Sequence, residues 1–430
     1  MRIIAGSLFI RFMKRIIFSL SFVVVIVAGF NIKNCLSQSD TLSSERLNVY
    51  LDCSFCDPNY IAHIKREVDY VNYVRARQDA DVHIMISREP AANKGFRITA
   101  YLLGQHQYAE LTDTLRFNVE AQATYEQIRQ KSLNALRTGL TPYIIKTPYW
   151  KNLSVEYSKP KISKQEVTDK WNYWIFEVSS GGNMAGEKSR QGYELKGEID
   201  AEKVTKDIKL DFAIRTEYNK TLYKVNSHTI TSIHRNYEFD GLAVKSLSQH
   251  WSAGGFEFLQ SSRYRNMKIS STTAPALEYN VFPYSEATTR QLTFLYRPGF
   301  RYNLYEDTTI FNKIQEKLFR QSLSVNYKIR KKWGSIYGAL RFSHYFHEFS
   351  KNRTTFDAGV SLNLVKGLNI QFGGKMAIIH DQLYLPKGDA TTEEILTEQR
   401  QLATDYEFQM ELSISYTFGS IYNNIVNPRF

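Results

Sequence analysis

Residues 406–418 read YEFQMELSISYTF and alternate apolar and polar side chains without a break. Tyr406, Phe408, Met410, Leu412, Ile414, Tyr416 and Phe418 take one face; Glu407, Gln409, Glu411, Ser413, Ser415 and Thr417 take the other. Period two marks a strand, because successive side chains leave opposite faces of the pleat. A half-buried strand of a soluble sandwich alternates too, but typically ends after about 5–6 residues. Thirteen residues at about 3.3 Å each, tilted by about 40°, rise about 30 Å, the thickness of bilayer hydrocarbon. The apolar face is aromatic at its ends and aliphatic in its middle, the order that two lipid interfaces favour.

The same scheme recurs upstream. Tyr193, Leu195, Gly197 and Ile199 alternate with Glu194, Lys196, Glu198 and Asp200; Ile208, Leu210, Phe212 and Ile214 alternate with Lys209, Asp211, Ala213 and Arg215. Phe356, Ala358, Val360, Leu362 and Leu364 share a face, and after a tight turn at Lys366-Gly367 the next strand starts with Leu368, Ile370 and Phe372. About twelve strands are expected, centred near residues 175, 196, 214, 239, 258, 275, 297, 324, 341, 360, 374 and 412. Connections near 204–206, 247–252, 284–288, 331–333 and 366–367 read as short, and alternate ones such as 305–317 and 381–404 as long. Short turns on one rim and long loops on the other fit an outer-membrane barrel, and an even strand number returns the chain to its starting side. The expected fold is therefore mostly β: a transmembrane antiparallel barrel of about 12 strands over residues 170–430. A soluble β-sandwich is the competing architecture; it has no need of a charged face opposite an aromatic-ended face on strand after strand.

What precedes the barrel has another texture. Lys14 and Arg15, the apolar run Ile16–Phe30 and the small residues before Gln38 resemble a secretory signal peptide over residues 1–37, with Met13 as an alternative start. The run is short for a membrane-spanning helix. Cys35 would suit a lipid anchor, but Asn34 before it does not fit the small-residue pattern such anchors need. Residues 41–148 read as a small α/β domain. In it, a strand Leu47–Asp52 precedes a helix capped by Asp57-Pro58 that buries Ile61, Ile64 and Val68. Strands follow at 81–87, 96–104 and 114–119. A second helix starts near Ala121, sets Tyr125, Ile128, Ser132 and Leu136 on one face, and stops near Gly139. Residues 149–169, rich in Lys, Ser and Pro, read as a linker.

The segments LEYNVFPYSEATTRQLTFLYRPGF (277–300) and ISYTFGSIYNNIVNPRF (414–430) resemble outer-membrane barrels of the salt-induced outer membrane protein type, in versions from Bacteroidota. LDCSFCDPNYI and DADVHI resemble the periplasmic domain that accompanies them. The resemblance implies fold and place, and brings no catalytic residues. Phe430 is terminal but lies well beyond Phe418, so two aromatics compete as the assembly signal.

Cys53 and Cys56 have a Cys-x-x-Cys spacing. In an exported chain the pair is expected to form a disulfide, worth about 2 kcal/mol for so short a loop. A thioredoxin-like redox centre is the sharper alternative, since strand, Cys-x-x-Cys and helix follow in order. Zinc held with His63 and His83 is a third, lacking a second Cys-x-x-Cys. Ser343, His344, His347 and His380-Asp381 invite a rim hydrolase, yet Ser343 and His344 are adjacent and so face opposite ways. The net charge of +12 includes Arg2, Arg11, Lys14, Arg15 and Lys33 of the leader. The rest is dispersed, which does not favour nucleic acid as a partner.

Side chains expected to face the lumen are Glu194, Lys196, Glu198, Asp200, Lys209, Asp211, Arg215 and Glu217, with Arg341 and Lys375. Their mixed signs suit a cross-linked interior better than a wide selective pore. The expectation is an outer-membrane protein for envelope maintenance or permeation of a small polar solute, its N-terminal domain docking a partner in the periplasm. An envelope enzyme, a thiol–disulfide or rim-hydrolase activity, is the alternative. Outer-membrane lipid, the barrel assembly machinery and an unidentified periplasmic protein are the expected partners, with no metal and no cofactor.

Overall fold

The computed structural model describes residues 46–53, 55–91, 95–120, 123–154, 156, 169–225, 228–365, 367–388, 390–391, 401–420 and 424. The leader, Phe430 and most of the linker lie outside these residues.

A five-stranded sheet comes first: β1 (Asn48–Cys53), β2 (Asn72–Tyr73), β3 (Val82–Pro90), β4 (Phe96–Gly104) and β5 (Thr112–Val119). Its order is β2-β1-β3-β4-β5, with β1 parallel to β2 and β3 and the remainder antiparallel. Helix α1 (Pro58–Glu67) begins where Asp57 accepts from the Tyr60 amide and Pro58 supplies a preset φ. Helix α2 (Tyr125–Ile144) opens with a capping box between Thr124 and Gln127. Val49, Ile64, Val68, Ile84, Leu102, Leu133, Leu136 and Leu140 form the core between helices and sheet.

Two expectations for this domain need correction. α1 buries Tyr60 and His63 beside Ile64, while Ile61 is only half-buried. α2 runs through Gly139 to Ile144 instead of stopping there. Gly139 is a packing residue, since a Cβ there would stand 2.8 Å from Leu102 and Leu115 methyls. The helix approaches the sheet too closely for a side chain.

The second sheet has twelve antiparallel strands: β6 (Trp174–Gly186), β7 (Arg190–Val204), β8 (Ile208–Val225), β9 (His228–Ser246), β10 (Trp251–Ser262), β11 (Met267–Asn280), β12 (Arg290–Tyr305), β13 (Gln315–Lys331), β14 (Gly334–Tyr345), β15 (Glu348–Val365), β16 (Leu368–Ile379) and β17 (Tyr406–Tyr416). Each pairs with its sequence neighbours, an unbroken up-and-down order. Strand number and positions agree with the expectation from alternation. Among the described residues no ladder joins β6 to β17, so these are the terminal strands of the sheet. The sheet is curved: β8, through Lys209, Asp211 and Arg215, and β13, through Arg330, line one 690 Å³ cavity although four strands separate them.

Connection lengths sort less cleanly than expected. β6 starts and β17 ends on one rim, called here the terminal rim, with connections 205–207, 247–250, 281–289, 332–333 and 366–367. On the opposite rim, 306–314 and 380–405 are long, but 187–189, 263–266 and 346–347 are tight turns. The connection 306–314 is no longer than 281–289 on the terminal rim, and it contacts residues 385–387 of the longer one.

Burial in this sheet is the inverse of a soluble protein's. Ser232, Ser270, Asn280, Thr293, Asn303, Ser324 and Ser343 on the concave face are buried. Leu195, Ile199, Ile214, Leu277, Phe294, Leu323, Leu340, Phe356, Phe372 and Leu412 on the convex face are exposed. Water would be expected to drive the opposite arrangement. Trp174, Trp251, Tyr279 and Tyr416 ring the convex face near the terminal rim, with Trp251 and Tyr279 centroids 4.7 Å apart. Tyr193, Tyr237, Phe319 and Tyr406 stand toward the other. Glu257 interrupts the apolar face at mid-strand; Ser271 Oγ donates to it at 2.9 Å, and Thr273 also binds it.

Candidate functional site

The concave face gathers the charges that the alternation assigns to it. Register sets Glu198 opposite Arg215 and Lys196 opposite Glu217 on β7 and β8. Arg215 donates from Nε to Glu198 at 2.8 Å and from Nη1 to Asp240 at 2.5 Å, bridging three strands. Lys196 Nζ stands 2.6 Å from Glu194 and 4.0 Å from Glu217; Lys209 Nζ is 3.7 Å from Asp211. Asp200 is buried and lines the cavity shared with Arg88, Pro90 and Arg330. On the far side, Lys375 Nζ lies 3.8 Å from Asp357. Arg341 lines a 510 Å³ cavity with Asp357, Lys375 and Glu407.

Mixed signs were expected, and they are sorted by wall. β6 to β9 carry Glu194, Glu198, Asp200, Asp211, Glu217, Glu238 and Asp240 inward, with fewer bases. β12 to β15 carry Arg297, Arg301, Arg320, Arg341 and Arg353 inward. The arginines other than Arg341, and the Glu238–Asp240 pair, were not singled out from sequence. The signal available was the same period-two parity, extended to every strand.

Among the described residues, each rim is contacted by a segment from outside the sheet. On the rim opposite the terminal rim, residues 380–388 after β16 fold inward. Asp381 accepts from Arg353 Nε at 2.8 Å, and Leu383 packs on the inward Leu318 and Tyr345. Asn266 Nδ2 donates to the Tyr384 carbonyl at 2.9 Å, Ile310 N to Leu385 O at 2.9 Å, and Thr309 bridges Pro386. At the terminal rim the α/β domain sits on the turns. Arg77 donates to the carbonyls of Lys332 and Asn363, the latter at 2.9 Å; Arg330 reaches back to the Ile86 carbonyl at 2.9 Å. Tyr101 and Thr288 hydroxyls are 2.9 Å apart, and Asn424 accepts from the Tyr73 amide.

The Cys53 and Cys56 sulfurs are 1.94 Å apart, at bonding distance, between β1 and α1. Phe55 between them lines the cavity at the mouth of the sheet with Arg215 and Arg330. His83 lies 3.3 Å from Asp52 through Nε2, and His63 is bound by Arg66 and Arg129. Neither histidine joins the sulfurs, and among the described residues no three His, Cys, Asp or Glu side chains are grouped as metal ligands. Burial, then the neighbouring Arg129 charge, lowers the His63 pKa. Burial and the bond to Asp57 raise the Tyr125 phenol to about 12. Ser343 and His344 do not form a pair. Ser343 is buried on the concave face, whereas His344 Nε2 meets Gln321 Nε2 at 2.7 Å on the convex face among Phe342, Phe346 and Phe349. His380 lies beside Asn352.

No protein-family model matches the chain, the salt-induced type included, and no curated relative matches it. Among solved structures, a NanC porin aligns at 10% identity and a TM-score of 0.29, covering 56% of this chain and 99% of that one.

Proposed function

We propose that this chain is an outer-membrane β-barrel that lets a small polar solute pass along its concave face, with the α/β domain on the periplasmic side. The inverted burial of the twelve-stranded sheet carries the reading: buried serines and asparagines inside, exposed leucines, isoleucines and phenylalanines outside. Only a lipid solvent makes so much exposed apolar surface favourable. The terminal rim then faces the periplasm, since an exported chain enters the barrel from that side, and the α/β domain is placed to dock a partner there. The 690 Å³ cavity on the concave face supplies polar space for a solute. The inward residues 380–388 and the docked domain narrow that space at either end. β6 and β17 run in opposite directions and would close the cylinder as an antiparallel pair.

The test is reconstitution. Chain refolded in detergent should migrate faster in electrophoresis unboiled than boiled, as a closed barrel does. In planar bilayers it should give discrete conductance steps that grow when residues 46–153 are released by a protease cut introduced in the linker. A freely water-soluble chain with no bilayer insertion would overturn the reading.

A further inference from the structure

We infer that the arginine wall is a binding site for a small oxyanion, a carboxylate or a phosphate; this deepens the permeation reading and rests on it. Arg297, Arg301, Arg320 and Arg341 project inward from β12, β13 and β14. The charges of Arg341 and Arg320 lie within Coulombic reach of Arg297, and that of Arg301 within reach of Arg320. Like charges are gathered here against their own repulsion.

Three of the nearby carboxylates have other partners, and Glu407 lines the cavity of Arg341. Asp381 of the inward loop pairs with Arg353, Asp357 with Lys375, and Glu316 accepts from the Tyr305 hydroxyl. The hydrogen bonds of Arg301 and Arg341 go to neutral groups, and the Asp381 charge also lies within Coulombic reach of Arg320. Arg301 Nε donates to Asn303 at 3.1 Å and Arg341 Nε to Ser324 at 3.2 Å. Arg320 lies over the Tyr345 ring at 5.8 Å, and Arg297 over Phe256 at 4.8 Å. Arg297 Nε is buried with no hydrogen-bond partner. A buried guanidinium donor left unmatched is costly. An oxyanion satisfies it, because the guanidinium fork fits two oxygens of a carboxylate or phosphate. Asp200, Glu202 and Asp211 of β7 and β8 share a cavity with Arg330 of β13, so an anion entering there is pushed toward the arginine side.

The experiment uses the full chain in planar bilayers bathed in KCl, with inorganic phosphate and gluconate as separate probes. Wild type should prefer anions in a salt gradient and be blocked by at least one probe. The probe that blocks assigns the site to phosphate or to carboxylate. The double variant Arg297→Gln/Arg341→Gln should weaken block about tenfold or more. Arg297→Lys/Arg341→Lys should keep the anion preference while losing part of the block, since charge survives and the fork does not. Arg97→Gln, on the α/β domain, should change neither. Open channels that neither probe blocks, or equal block in wild type and the Gln double variant, overturn the site and leave permeation standing. A chain that inserts but never conducts overturns permeation. Calorimetry with both probes on detergent-solubilised protein then decides the site separately: heat lost in the Gln double variant supports it, and no heat in wild type overturns it.

Discussion

Ile214→Arg separates a lipid-facing sheet from a soluble one. Ile214 is mid-strand in β8, 53% exposed, and paired between Ile199 and Phe239, so three neighbouring strands present an apolar row on the convex face. If the row meets water, replacing one exposed side chain changes stability by about 0.5 kcal/mol at most, roughly twofold in the folding equilibrium. If it meets hydrocarbon near the bilayer midplane, the arginine costs about 2–4 kcal/mol, roughly 30- to 700-fold. Asn219→Arg is the control. Asn219 pairs with Glu194 on the concave face, where a new cation meets water and a carboxylate, so a change within about 0.5 kcal/mol is expected. The assay is reversible urea unfolding in phospholipid vesicles, followed by tryptophan fluorescence. Equal midpoints for wild type and Ile214→Arg would refute the assignment of the convex face to lipid, and with it the membrane location.

Other expectations are cheaper to check. Arg77→Ala removes two hydrogen bonds to the carbonyls of Lys332 and Asn363; it should loosen the α/β domain by about 1–3 kcal/mol, read as faster hydrogen exchange at 46–90 with the barrel unchanged. Cys53→Ser/Cys56→Ser should lower α/β stability by about 2 kcal/mol and leave barrel migration intact; insulin reduction by the wild-type chain that the variant loses would show redox chemistry instead of a staple. The His63 pKa is lowered in the fold, so the unfolded chain binds more protons below its ordinary range near 6.5. Stability of the α/β domain should therefore fall as pH drops through that range and level off below the folded value, and His63→Gln should flatten the profile in acid melts. Gly139→Val should destabilise α2 packing by about 1–3 kcal/mol, because the added atoms meet Leu102 and Leu115.

Much of the fold was legible because period two is a strong signal when a strand must be apolar on one side for its whole length. The twelve strands, their order and the short connections at 332–333 and 366–367 follow from it. α1 was legible from Asp57-Pro58, whose cap is local chemistry. The end of α2 was not: Gly139 reads as a stop in isolation, and only the closeness of Leu102 and Leu115 reveals it as contact. The inward loop was illegible for a similar reason. Nothing local in residues 380–391 says that Asp381 will meet Arg353 or that Leu383 will lie on Leu318 and Tyr345. Nor does Arg77 announce that it will bind the turns at Lys332 and Asn363. These contacts join segments far apart in the chain, and spacing rules carry no information about them.

The segregation of charge is a different case, since it was present in the sequence in a form that needs one further step. Parity decides inside from outside but is silent about position around the sheet, and pooling inward charges over all strands yields a mixture. In an up-and-down meander every strand lies beside its neighbours in sequence, so sequence position is also position around the curve. Read that way, the acids of residues 194–240 and the arginines of 297–353 must face each other across the lumen once the sheet curls. Paired charges on the acidic wall, such as Arg215 with Glu198 and Asp240, link three neighbouring strands. On the other wall Arg353 pairs with Asp381, whereas Arg297 Nε is buried with no hydrogen-bond partner. Should the chain conduct, the arginine wall predicts a preference for anions, which the salt-gradient measurement reads.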